Sequence, residues 1–298
     1  SRGMLAAASE IGLTDDEDGL MILPKDAEIG RKLVEMYDAD VRMEVEVTPN
    51  RPDLLSHYGM ARELAVLLKV ETKPRPQPDF PEATGAGLVV EADEVCPHYT
   101  ALHLDGLSVR ESPAWLQARL ESIGLRSINH VVDVTNFVLH DLGQPLHAFD
   151  AAKVSGDIVI RRAKEGEAFA ALDGETYMLS TEDTVIADAS GAVLALAGVM
   201  GGAHSGVTEA TTEVILESAY FAPSAIRRTS RRLGLSSDSS YRFERGVDPA
   251  MVEPAAARAA ALIIELAGGG SIARASRCGQ PALEPVAVEL DHARLDQL

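Results

Sequence analysis

Residues 157–202 read DIVIRRAKEGEAFAALDGETYMLSTEDTVIADASGAVLALAGVMGG. Short β-favouring runs alternate here with turn formers. Runs at 157–162 and 184–187 flank a hairpin signal, 168–172 and 176–179 joined across Asp173-Gly174, and 192–196 closes the series. A further apolar run at 213–219 predicts another strand. Outside this block the pattern changes to helical. Ser112-Pro113 followed by Trp115, Leu116, Leu120 and Ile123, ending at Gly124, predicts a capped helix with proline in its first turn. Helices are also predicted at 223–233 and at 252–267, the latter stopped by Gly268-Gly269-Gly270. Upstream, alternation at 41–47 predicts a strand, and Met60, Leu64, Leu67 and Leu68 share one face of a helix over 55–69. Helices thus flank a β-rich centre without a βαβα rhythm. That predicts an α+β fold rather than a doubly wound sheet.

The chain has 298 residues, 46% of them hydrophobic and 24% charged, which excludes wholesale disorder. No apolar run is long enough to span a membrane, and the opening SRGMLAAASEIG lacks the order of a signal peptide. Cys96 and Cys278 are too few and too far apart for a disulfide framework or a zinc knuckle, which fits a reducing cytoplasm. The net charge is −19. A chain this acidic has no global attraction for phosphate, so any nucleic-acid contact must be local.

Residues 73–81 hold four prolines and predict an extended linker. The first 33 residues are too short for a core of their own. A new alternating run at 286–290 begins too late to be completed. Both ends therefore predict a piece cut from a longer chain.

Several motifs interrupt the apolar pattern. Thr48-Pro49-Asn50-Arg51-Pro52-Asp53 is a rigid turn, read from physics alone as a connector. In 129–150, NHVVDVTNFVLHDLGQPLHAFD, the polar residues Asp133, Thr135, Asn136, Gln144 and His147 break a core-like run. Such a cluster is either a satisfied network or a site. His140 and His147 stand seven apart with no third ligand nearby, so no metal site is expected. Ala197-Gly198-Val199-Met200-Gly201-Gly202 is either a plain tight turn or a place where a ligand approaches backbone amides. Glu217 alternates with Ile215 and Ala219, so it points inward or sits on an exposed edge strand. Arg227, Arg228, Arg231, Arg232, Arg242 and Arg245 form the one basic concentration. Ion pairs with the surplus carboxylates and contact with phosphate are its two readings.

Four long segments resemble one family in order: VTPNRPDLLSHYGMARELAVLL, SPAWLQARLESIGLRSINHVVDVTNFVLHDLGQPLHAFD, LALAGVMGGAHSGV and VILESAYFAPSAIRRTSRRLGLSSDSSYRFERGVDP. The family is the β subunit of bacterial phenylalanyl-tRNA synthetase. The resemblance implies that 1–33 close a tRNA-binding OB domain, and that 34–75 belong to a winged-helix-like B1 domain and its proline-rich linker. It further implies that 76–275 form the B3/B4 editing domain and that 276–298 begin the B5 domain. In that family an α2β2 tetramer charges tRNA(Phe) using ATP and Mg2+. Synthesis occurs on the α subunit, and B3/B4 hydrolyses tyrosine wrongly attached to the tRNA. The resemblance places the phenol at Glu217 and the Gly198 backbone, and the ester and attacking water at His147, Thr135 and Asn136. His130 stands where the family usually carries asparagine. A scaffold that only assembles subunits and orients tRNA is the alternative.

Overall fold

The computed structural model describes residues 5–11, 19–36, 41, 43–73, 78–280 and 287–296. The chain divides into two compact units, 1–43 and 44–298. The described part of the first contains two 3-10 turns, Ser9–Ile11 and Leu33–Glu35, and no strand. The run predicted as a strand at 41–47 also forms none among its described residues, where Met43 and Val45 are exposed. Alternation makes a strand only when a neighbour takes up its backbone groups. Residues 287–290 are likewise unpaired as a strand; 286 lies outside the described residues.

The second unit opens with α1 (His57–Leu68), β1 (Leu88–Val90) and β2 (His98–Asp105). Then come α2 (Ala114–Glu121), α3 (His130–Leu142), β3 (Leu146–Asp150) and β4 (Ile158–Arg162). The β-rich centre holds β5 (Ala168–Ala170), β6 (Thr176–Met178), β7 (Thr184–Asp188), β8 (Val193–Leu196) and β9 (Met200–Gly201). After β10 (Val214–Tyr220) come α4 (Pro223–Leu233), α5 (Asp238–Phe243), α6 (Val252–Ala267) and β11 (Ser271–Gly279). This is an α+β fold, as the element pattern predicts.

Two larger sheets organise these elements, and β5 and β6 pair separately as a hairpin. One is antiparallel, in the order β11-β2-β10-β3. The other runs β1-β4-β7-β8-β9, with only the β1–β4 pair parallel. Strand β10 shows how the two cores arise. Its Val214 and Leu216 join Leu102 and Leu104 of β2 against Val131, Val134 and Val138 of α3 and the alanines of α6. Its Ile215 and Ala219 turn the other way, joining Tyr99, Ala101 and Phe149 against Ile158, Ile160, Val185 and Leu196 of the second sheet. The layers are therefore helices, sheet, sheet. Five alanines of α6 are fully or almost fully buried, which lets that helix approach the sheet closely.

Local chemistry sets the helix ends. Asn129 Oδ1 accepts from the amides of Val131 and Val132 at 3.1 and 3.0 Å, starting α3, and Gly143 ends it at φ 81°. The predicted cap of α2 is replaced. Ser112 Oγ donates to Asp133 at 2.5 Å, and Pro113 takes the cap position without a side-chain bond. Asp133 also accepts from Ser127 Oγ at 2.5 Å and from the Ile128 amide at 2.9 Å. A carboxylate buried this completely is stable only with such donors. The central strand β2 and its partner β11 carry no strand expectation from sequence. Histidines and Thr100 interrupt the first, and Arg274, Ser276 and Arg277 the second, so neither forms a clean apolar run.

The Asp133 network yields a stability prediction. Asp133→Ala strands three donors in or near the core and should lower unfolding stability by about 3 kcal/mol. Urea denaturation measures it; a loss under about 0.5 kcal/mol would show that the network contributes nothing.

Candidate functional site

Three elements converge at one end of the space between the sheets. The β10–β3 register sets Glu217 directly opposite His147, and the β10–β2 register sets it opposite Ala101. Cross-strand partners have Cβ atoms about 4.5–5.5 Å apart, so the two side chains share one face at close quarters. Tyr99 opposes Ala219 and is therefore the diagonal neighbour of Glu217 on that face. From the second sheet comes the turn after β8. Gly198 adopts φ 67° there, and a side chain built on it would lie 2.9–3.1 Å from carbons of Ile226, Phe221 and Phe243. Only glycine fits both that backbone and that space. Helix α5 closes the end. Its cap residue Ser237 donates to the Val199 carbonyl at 2.7 Å, and Arg242 anchors it through Leu55 O at 3.1 Å and His140 Nδ1 at 3.3 Å.

The result is a small pocket of about 60 Å³. His147 and Glu217 form one wall, Gly198, Met200 and Gly201 another, and Ser239 and Phe243 of α5 the end. Phe243 meets Phe221 edge to face at 5.1 Å, and His147 meets Phe149 likewise at 4.6 Å. Most of its lining residues are apolar, but polar atoms, backbone included, form at least as much of its wall as carbons do.

Buried polar side-chain atoms here lack partners. Glu217 is 6% exposed, and its Oε2 has no hydrogen-bond partner; the same holds for His147 Nε2 and the Tyr99 hydroxyl. Burial pushes the Glu217 carboxyl up to about 8, so it is protonated at neutral pH; the nearby Tyr99 hydroxyl moderates this rise without reaching hydrogen-bond geometry. Burial alone pulls His147 down to about 4, so its ring is neutral. The Tyr99 phenol is held well above its usual value by burial and then by Glu217. The site is thus electrically neutral, with Glu217 Oε2 and His147 Nε2 unpartnered in the pocket wall.

His147, Gly198 and Glu217 come together as the sequence suggests. Thr135 and Asn136 do not line this pocket. Both stand on α3, whose apolar face packs on the opposite side of the four-stranded sheet, and Thr135 Oγ1 donates to the Val132 carbonyl at 2.7 Å. His130 is buried away from the site, its Nδ1 3.2 Å from the Arg110 amide. Tyr99, Ser239 and Phe243 escaped the sequence reading. Tyr99 lies on β2, whose interrupted pattern gives no local signal for it.

A family model described as the B3/4 domain matches residues 95–268, which covers the pocket and every strand of the two sheets except the edge strands β1 and β11. The chain therefore belongs to the B3/4-domain family. Over nine-tenths of its length it is similar to curated proteins called phenylalanine–tRNA ligase β subunit. Those from Chlorobaculum tepidum and Anaeromyxobacter dehalogenans are 49% and 52% identical over 270 and 276 residues, 90% of this chain in each case. That from Bdellovibrio bacteriovorus is 49% identical over 280 residues, 92% of this chain. The chain spans about a third of the length of these relatives. A solved N-terminal fragment of the phenylalanyl-tRNA synthetase β subunit from Pyrococcus horikoshii aligns over 62% of this chain and 59% of its own. Its TM-score of 0.35 and 18% identity are too low to bear on the assignment.

The buried pair makes stability depend on pH. Glu217 rises from an ordinary 4.5 to about 8, so across that interval the folded chain holds a proton the unfolded chain has released. Stability therefore falls as pH rises from about 4.5 to about 8. His147 falls from 6.5 to about 4, so its contribution declines as pH drops through that range. The two slopes oppose each other up to pH 6.5, above which Glu217 acts alone. Between about pH 6.5 and 8, Glu217→Gln should abolish a loss of about 2 kcal/mol seen in the wild type. Paired denaturation curves at the two pH values measure it, since every other titration cancels in the comparison; parallel losses in both proteins would refute the assignment.

Proposed function

We propose that this pocket hydrolyses tyrosine mistakenly esterified to tRNA(Phe). The observation that carries the reading is Glu217, a protonated acid with an orphan oxygen at the wall of a pocket lined mostly by apolar residues. An aminoacylation site shaped for phenylalanine rejects an added hydroxyl by only about a hundredfold, which creates the need for a second site of inverted preference. Glu217 supplies that inversion. A tyrosine phenol satisfies its free oxygen, whereas phenylalanine leaves that oxygen buried and unpaired. Gly198 contributes backbone to the opposite wall.

In this reading a water attacks the ester carbonyl carbon, the bond to the ribose oxygen breaks, and the proton from water ends on that oxygen. His147 orients the water through its neutral ring nitrogen. With its basicity lowered by burial, the ring acts as an acceptor that positions rather than as a strong base. Thr135 and Asn136 enter only as residues of α3, the helix packed behind β3. Charging itself, with ATP and Mg2+, would belong to an α subunit in an α2β2 assembly in the cytoplasm. No helix among the described residues is long and apolar enough to cross a membrane.

Calorimetry on the chain should show free tyrosine binding about ten- to a hundredfold more tightly than phenylalanine, and Glu217→Ala should erase the difference. In the complete enzyme the same variant should charge phenylalanine normally and accumulate tyrosine on tRNA. Equal affinities in the wild type would sink the reading; loss of charging together with editing would make Glu217 a structural residue.

A further inference from the structure

Helix α4 places Arg227, Arg228, Arg231 and Arg232 on its exposed side and buries Ala225, Ile226, Thr229 and Ser230 on the other. Cations three and four residues apart on one helix repel one another. Ion pairing relieves this only in part. Arg232 is neutralised by buried Asp183, and Arg227 donates to the Glu244 carbonyl at 2.9 Å. Arg228 and Arg231, one turn apart, form no hydrogen bond or ion pair among the described residues. The fold does not need them there, and a chain of net charge −19 has carboxylates in excess to pair with them. The opposite side of this helix touches the site: Ile226 Cδ1 lies 2.9 Å from where a Gly198 side chain would begin. A helix with its side chains is about 10–12 Å across, so the arginine row stands about that far from the pocket wall.

We propose that the exposed face of α4 binds the sugar–phosphate backbone of the tRNA acceptor end, with Arg228 and Arg231 gripping its phosphates. The proposal rests on the editing reading for its substrate. An aminoacyl ester seated in the pocket must trail its polynucleotide out across neighbouring surface, and two unpaired guanidiniums are suited to phosphate oxygens. It also reconciles nucleic-acid binding with an acidic chain: the attraction is confined to one helix and weakens quickly as salt rises.

The test compares the wild-type chain with Arg228→Gln/Arg231→Gln, using fluorescently labelled tRNA(Phe) transcript and anisotropy across a salt series that begins at low ionic strength. The variant should bind about tenfold or more weakly, and the slope of log K against log salt should be shallower by about 1.4, or about 0.7 for each phosphate no longer neutralised. Free-tyrosine affinity should not change, which separates a weakened grip on phosphate from a damaged fold. Equal tRNA binding and equal slopes in the two proteins would overturn the proposal and leave the arginine face to an acidic protein surface. No measurable wild-type binding at low salt would overturn it as well. If tyrosine and phenylalanine bind the pocket alike while the arginine effect persists, the editing reading fails and phosphate binding by α4 stands.

Discussion

Strand β10 has to serve two cores at once, and the rest of the molecule depends on that constraint. It is paired on both edges and covered on both faces, so its period-two alternation sends Val214 and Leu216 to the helices and Ile215, Glu217 and Ala219 to the second sheet. A slip of one residue would drive the carboxyl of Glu217 into the alanine-lined layer beneath α6 and expel two apolar side chains from it. Register and polarity thus enforce each other. The same pairing brings His147 and Tyr99 to Glu217 although all three are far apart in sequence.

Burial then decides what those residues are. In water Glu217 would be an anion and His147 close to half protonated near pH 6.5. Between two sheets each is driven to its neutral form, the acid by gaining a proton and the imidazole by losing one. No ion pair forms between them to offset the burial, and polar atoms are left unmatched. Leaving them unmatched costs stability in the empty chain. In the proposed reading that cost is the basis of recognition, because a ligand that matches the atoms would recover it and a ligand lacking the hydroxyl would not.

The pocket's other wall is supplied by structure whose side chains have little polar character. Having no side chain, Gly198 lets Phe221, Ile226 and Phe243 pack directly against its backbone. Helices α4 and α5 hold that wall in place, the first through Ile226 and the second through Ser237 on the Val199 carbonyl. The charge of the chain is arranged around it unevenly. Most arginines near this end are consumed by carboxylates or carbonyls, as Arg232, Arg242 and Arg245 are, and the exceptions lie together on α4.

The sequence by itself determined the class of fold, the strands from 158 to 196, the bounds of α4 and α6, and the shared face of Glu217 with Ile215 and Ala219. These follow from local rules: alternation, capping, glycine stops and the Asp-Gly turn act within a few residues. It also misled where locality fails. The alternating residues 43–47 have no partner strand among the described residues, and Ser112 turns from its own helix to the distant Asp133. Only the tertiary structure decided that Glu217 lies buried opposite His147, that Tyr99 joins them, and that Thr135 and Asn136 stand behind the sheet rather than in the pocket. Each of these depends on which strands pair, in which register, and on which face a helix packs. Those choices are made by long-range burial of apolar surface, which no window of sequence contains.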